Sequence, residues 1–99
     1  MTVVSIATLR ALPGREEDLA ALLSAIRDVA LSEQEPGCTA YRIFRANAAS
    51  DFACVEHYVD EAAVSKHAED NKGVHELVKA LQGGGIVDGN PVIKTYREF

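Results

Sequence analysis

Tryptophan is absent from this sequence, and its only methionine is the first residue. Long apolar runs are absent as well, so no segment reads as a helix that spans a bilayer. The start lacks a basic stretch followed by an apolar one and a cleavage site, so no secretory signal is expected. The chain is expected to be cytoplasmic. Lysine and arginine are few, 10 against 15 acidic residues, and the formal net charge is −5 with no basic block. Binding to phosphate backbones needs clustered positive charge, which excludes nucleic acid as a partner and disfavours anionic membrane surfaces. No HxH, HExxH or CxxC spacing is present, so no metal site is expected.

Cysteine is scarce too: Cys38 and Cys54 are the only two. Both fall on neighbouring strands of an expected hairpin around a turn at residues 47–50. Cys38 would then face a residue near Tyr58, and Cys54 one near Arg42. That leaves an offset of about four residues, or roughly 13 Å along a strand, too far for a disulfide. Two free thiols suit a reducing compartment.

What remains is the balance of an ordinary globule, with 47% hydrophobic and 25% charged residues in 99. Residues 1–99 read as one domain with one modest core. Residues 2–12 are rich in Val, Ile and Thr and stop at Pro13-Gly14, which predicts a strand. Gly14 is placed to cap a helix whose first turn holds Glu16, Glu17 and Asp18. Leu19, Leu22, Leu23, Ile26 and Ala30 recur at helical steps and form one apolar stripe. Glu35-Pro36-Gly37 is expected to end that helix, because the residue before proline avoids the α region.

Residues 38–45 and 52–59 predict two more strands, joined by the polar turn Asn47-Ala48-Ala49-Ser50-Asp51. Asp60 reads as the cap of a short helix through His67. A further helical stretch follows Asn71, with Gly83 as its stop. Residues 91–99 make a last strand. The order is βαββαβ, an α+β fold with a four-stranded antiparallel sheet and helices on one side.

The strands are apolar on both faces. Val3, Ala7 and Leu9 alternate with Val4, Ile6 and Thr8. Tyr41 and Ile43 alternate with Ala40 and Phe44, and Phe52 and Cys54 with Val55 and Val59. Helices from one chain cover only one face, and an open apolar face marks an association surface. A homodimer through the sheet face is therefore expected.

The segments Glu35-Pro36-Gly37-Cys38-Thr39-Ala40-Tyr41 and Glu56-His57-Tyr58-Val59-Asp60-Glu61-Ala62-Ala63 carry a family resemblance. They resemble the E-P-G-C-x-x-Y and E-x-W-x-x-x-x-A landmarks of the antibiotic biosynthesis monooxygenase family, which are followed by a His. That His is His67, and Tyr58 stands where the family has Trp. The resemblance runs from the first strand to the last. It implies a dimeric α/β barrel of two ferredoxin-like units, with a pocket between sheet and helices in each subunit. Some members oxygenate phenolic polyketides or quinols without metal or flavin, while others degrade haem or isomerise small phosphorylated signals. One scaffold carrying several chemistries leaves the reaction to be argued from the site.

Cofactor-free oxygenation needs a base that holds a phenol as its anion, a dry pocket, and a donor for developing negative charge. His67 and Glu56 are the candidate catalytic residues, with Glu56 and Tyr58 on one face of their strand. Tyr58, Tyr41 and Phe52 are the aromatic residues expected to bind a small-molecule substrate, with O2 as co-substrate and no metal or cofactor. Each also has a plainer role open to it. Glu56 would pair with Arg42 across the hairpin, Tyr58 would be core, and His67 a hydrogen-bonded structural residue.

Haem breakdown fits poorly. Its branch has Asn where this chain has Ala7, Trp at the place of His67, and an axial His where Leu77 stands. His67 and His75, eight residues or about 12 Å apart on one helix, cannot share a metal unless the chain breaks near Gly73. The absence of pocket Trp and Asn also counts against the oxygenase branch. An isomerase would need an Arg for phosphate, for which Arg10, Arg42 and Arg45 are the candidates. A binding module without turnover is the third possibility. The oxygenase remains the leading expectation.

Overall fold

The computed structural model describes residues 2–47 and 50–99, so Ala48 and Ala49 of the expected turn lie outside the described residues. Strand β1 (Val3–Arg10) buries Val3, Ser5, Ala7 and Leu9 in alternation. Helix α1 (Glu16–Ala30) follows, its three acids in the first turn meeting the positive end of the helix dipole. The N-cap is Arg15 and not Gly14. The Arg15 guanidinium bonds Asp18 in that first turn and the carbonyl of Gly85. Leu19, Leu23, Ile26 and Ala30 form the buried stripe, while Leu22 is only partly buried.

Helix α1 ends at Ala30, well before Glu35-Pro36-Gly37. Ser32 closes it, its backbone N–H and its hydroxyl both donating to the carbonyl of Val29. Glu35 is thereby left in a separate turn, where its side chain points inward and is buried.

Strands β2 (Cys38–Arg45) and β3 (Asp51–Tyr58) pair antiparallel, with Cys38 opposite Tyr58 as expected. Cys54 faces Ile43 and not Arg42, because a bulge at Thr39 adds one residue to β2. Both cysteines are free and buried. Asp60 caps α2 (Glu61–Asp70) by accepting the N–H of Ala63 at 2.9 Å. The chain breaks at Asn71, which caps α3 (Lys72–Gly83). That helix stops one residue later than expected, at Gly84, whose φ of +66° the residue reaches without a Cβ clash.

Strand β4 (Val92–Arg97) completes a four-stranded antiparallel sheet of order β2-β3-β1-β4, a ferredoxin-like βαββαβ fold with its second helical position split in two. Helix α1 covers the inner face, where Leu19, Leu23 and Ile26 meet Leu9, Tyr41, Phe52 and Tyr58 in one core. Among the described residues no helix covers the outer face. There Phe44, Val92 and Tyr96 are each about half exposed, and Val4 and Ile6 lie between strands on the same face. No helix among the described residues is long and apolar enough to cross a membrane.

Candidate active site

Register decides which groups meet on the inner face. Glu56 of β3 sits between Tyr41 of β2 and Ser5 of β1, and Tyr58 lies two residues further along the same face. The Tyr58 hydroxyl donates to Oε1 of Glu56 at 2.5 Å. Above them the cap at Asp60 starts α2 so that His67, two turns on, projects over the sheet. Its ring lies between the two phenols, with centroids 5.8 Å from Tyr41 and 5.5 Å from Tyr58.

His67 touches a carboxylate on each side. Its Nδ1 is 2.8 Å from Oε1 of Glu35. Its Nε2 is 3.6 Å from Oε1 of Glu56, beyond hydrogen-bond range. Glu35 is in turn held by Asn71, whose Nδ2 donates to Oε2 at 2.6 Å. All four polar residues are buried, Asn71 completely.

His67, Glu56 and the two phenols border a cavity of about 240 Å³, and Glu35 and Asn71 lie behind His67 outside its lining. Its polar lining is Ser5, Thr95, Tyr41, Tyr58, Glu56 and His67, and the rest is apolar apart from the Cys54 thiol. Leu23 and Ile26 of α1 close one side, Val74, Leu77 and Leu81 of α3 another, and Ile93 of β4 stands at the open edge. Neither lysine nor arginine lines it among the described residues.

Burial sets the electrostatics. It pushes the Glu56 carboxyl above the usual range, partly offset by the Tyr58 hydrogen bond and by His67, and reinforced by the Glu35 charge. Burial, followed by the field of Glu56, also raises both Tyr41 and Tyr58 far above an ordinary phenol, so each acts as a donor and not as a base. The Cys54 thiol is pushed up to about 11, again mainly by burial, which leaves it an inert wall residue.

Of the residues singled out from the sequence, His67, Glu56, Tyr58 and Tyr41 meet at this cavity. Phe52 does not. It shares their face but lies at the far end of β3, packed beneath the Arg45 guanidinium at 4.8 Å, beside a wider and more open depression of about 590 Å³. Arg42 pairs in register with Val55 on the opposite face, so it is no partner for Glu56. Arg10 and Arg45 are engaged with Asp51 and Glu17. His75 begins the outer side of α3 and bonds the carbonyl of Glu69, away from His67. Among the described residues no three His, Cys, Asp or Glu side chains cluster as metal ligands would.

Two residues of the site escaped sequence reasoning, Glu35 and Asn71. Glu35 was visible only as part of the Glu-Pro-Gly-Cys landmark, and Asn71 only as a helix start. The burial of either was not inferable from spacing.

The chain matches the antibiotic biosynthesis monooxygenase family over residues 2–80. No curated protein matches it in sequence. Among solved structures it is similar to Rv0793 from Mycobacterium tuberculosis, with 17% identity, a TM-score of 0.86, and coverage of 100% of this chain and 96% of that one. PA3566 from Pseudomonas aeruginosa superposes with 25% identity and a TM-score of 0.81, over 99% and 94% of the two chains. A third structure, of an antibiotic biosynthesis monooxygenase, shares 19% identity and a TM-score of 0.81 over 98% of each chain.

Proposed function

This chain belongs to the antibiotic biosynthesis monooxygenase family, and on that premise we propose that it oxygenates a quinol-like or polyphenolic small molecule with O2. The carrying observation is an imidazole ring at a small cavity lined by apolar and phenolic groups and, among the described residues, by neither lysine nor arginine. At about 240 Å³ the cavity is smaller than the roughly 300–1,000 Å³ of pockets for drug-sized ligands, which suits a compact aromatic substrate.

In this reading Nε2 of His67 takes the phenolic proton and the apolar walls keep water out. The phenolate passes one electron to O2, and the resulting radical and superoxide combine as a carbon–oxygen bond. The peroxide takes up the proton held by His67. At a phenolate ring carbon bearing one hydrogen, loss of water from the hydroperoxide then leaves a carbonyl, so one oxygen atom enters the product and the other leaves as water. Glu56, which keeps its proton to higher pH than a free carboxyl, donates to the oxygen that gains charge, held in place by the Tyr58 hydroxyl that bonds its Oε1. Neither metal nor flavin is invoked for any step.

The missing cation argues against a phosphorylated substrate, because Arg10 and Arg45 are held by acids elsewhere. The exposed outer face, with Phe44, Val92 and Tyr96, supports a homodimer packed sheet to sheet. Two free buried thiols suit a cytoplasmic setting.

The test is O2 uptake by metal-stripped protein with a panel of quinols and anthrones, against a His67→Ala variant. Uptake above the unaided oxidation that the variant loses by about 10²–10⁴-fold supports the reading. Equal background uptake from both proteins overturns it, and thermal shifts with phosphorylated metabolites would then examine the isomerase or binding roles.

A further inference from the structure

The hydrogen bonds behind His67 have a direction, and helix α3 dictates it. Asn71 is the N-cap of that helix, and its Oδ1 accepts the backbone N–H of Gly73 at 2.9 Å and of Val74 at 3.3 Å. Those donors cannot be anything else, so the amide orientation of Asn71 follows from the fold and not from a choice between oxygen and nitrogen. Its Nδ2 must then face the other way. It donates one hydrogen to the carbonyl of Ile26 at 3.2 Å and one to Oε2 of Glu35 at 2.6 Å. With both donors and both acceptor positions engaged and no exposure to solvent, the side chain has no alternative arrangement.

Glu35 therefore receives a hydrogen bond on Oε2 and presents Oε1 to Nδ1 of His67 at 2.8 Å. With Glu35 as the acceptor of both contacts, it has no hydrogen to give, and the hydrogen of this one belongs to Nδ1. We propose that Glu35 and Asn71 are positioning residues that hold His67 in its Nδ1–H form, so that the lone pair of Nε2 is turned toward Glu56 and the cavity. Capping a helix and setting a tautomer become one task for one asparagine. The side chain that ties α3 to α1 through Ile26 also determines which ring nitrogen is basic.

The relay makes a counterintuitive prediction for Glu35→Gln, a substitution that keeps size and shape. Asn71 continues to offer N–H toward position 35, because the α3 cap still holds its Oδ1. The new amide must answer with its oxygen, which turns its NH2 group toward His67. Nδ1 then has to accept, and the proton moves to Nε2. The cavity would face an N–H donor where the native protein has a base. The same logic in a serine protease triad, where Asp becomes Asn, costs about 10⁴-fold in turnover with geometry intact.

The tautomer is read without any turnover. Two-dimensional ¹⁵N–¹H correlation across the imidazole ring, with the three histidines assigned through their backbone resonances, distinguishes Nδ1–H from Nε2–H in the neutral ring. The native protein is expected to show His67 as Nδ1–H, and Glu35→Gln to show it as Nε2–H. Native His67 found as Nε2–H, or protonated on both nitrogens throughout the pH range of the folded protein, overturns the proposal. So does a Glu35→Gln protein that folds with its tautomer unchanged. The catalytic meaning of the relay rests on the oxygenase reading above. If that reading holds, kcat in Glu35→Gln falls by about 10²–10⁴-fold with little change in KM. The expected tautomers in a protein that consumes no O2 would uphold the relay and remove the oxygenase reading alone.

Discussion

Nε2 of His67 stands 3.6 Å from Oε1 of Glu56, inside a cavity wall that is otherwise mostly apolar. At that separation a charge on either group is felt by the other without a hydrogen bond joining them. Among the described residues Glu56 accepts a side-chain hydrogen bond from the Tyr58 hydroxyl alone, whereas Glu35 is met by both the His67 ring and Asn71.

The burial that raises Glu56 has a consequence for stability against pH. The folded protein holds the Glu56 proton to higher pH than the unfolded chain does. Between the two values the native state binds more protons, so stability falls as pH rises through that window. A Glu56→Gln protein, neutral at every pH, loses this contribution. Melting temperatures of both proteins, taken from about pH 4 to about pH 8, are expected to diverge upward in pH, with the native protein losing stability relative to the variant. Parallel curves would show that Glu56 is ionised in the folded state as readily as in the unfolded one.

The outer sheet face yields a prediction that is independent of chemistry. Tyr96 lies opposite Val4 on that face and is 49% exposed in the isolated chain, so a glutamate there is tolerated by the fold. In a sheet-to-sheet dimer the same glutamate would be an unpaired charge buried on both sides of the two-fold axis, costing several kcal/mol. Sedimentation velocity is expected to show a native dimer and a Tyr96→Glu monomer of unchanged melting temperature at low concentration. A native monomer, or a dimer indifferent to the charge, would remove this face as the interface.

Much of the fold was legible because its signals are periodic. Val3, Ala7 and Leu9 alternate along β1, and the Leu19-to-Ala30 stripe repeats at helical steps. What was not legible is aperiodic. Strict alternation sets Cys38 and Tyr41 on opposite faces of β2, but the bulge at Thr39 turns both inward. Glu35 occupies a turn, where no period announces burial, and its role depends on Asn71, which is 36 residues away in sequence.

The site was legible to a similar extent. Residues two apart on a strand share a face, which placed Glu56 beside Tyr58. Sharing a face is not the same as sharing a cavity. Phe52 and Tyr58 are both inward on β3, yet six residues span about 20 Å, so Phe52 falls at the other end of the sheet. Depth along a strand is set by how the helices lie across it, which composition and spacing do not encode.

Gly73 tests how tightly α3 is pressed against α1 over this cavity. A Cβ at that position would lie 2.6 Å from Cγ1 of Ile26 and 2.9 Å from its backbone nitrogen. The first contact is with a side chain that can turn aside, but the second is with the backbone of a helix whose Ile26 carbonyl is already bonded to Asn71. Alanine is the better helix former by about 1 kcal/mol, so propensity alone predicts that Gly73→Ala stabilises the protein. The contact predicts the opposite, because overpacking in a close-packed interior costs about 1–3 kcal/mol and nothing nearby yields cheaply. Urea unfolding of Gly73→Ala is expected to give a net loss, with ¹⁵N and ¹H shifts at Asn71 and His67 as α3 is forced away from α1. A variant as stable as the native protein would mean that α3 moves freely on α1, and that its cap holds Glu35 less firmly than the geometry implies.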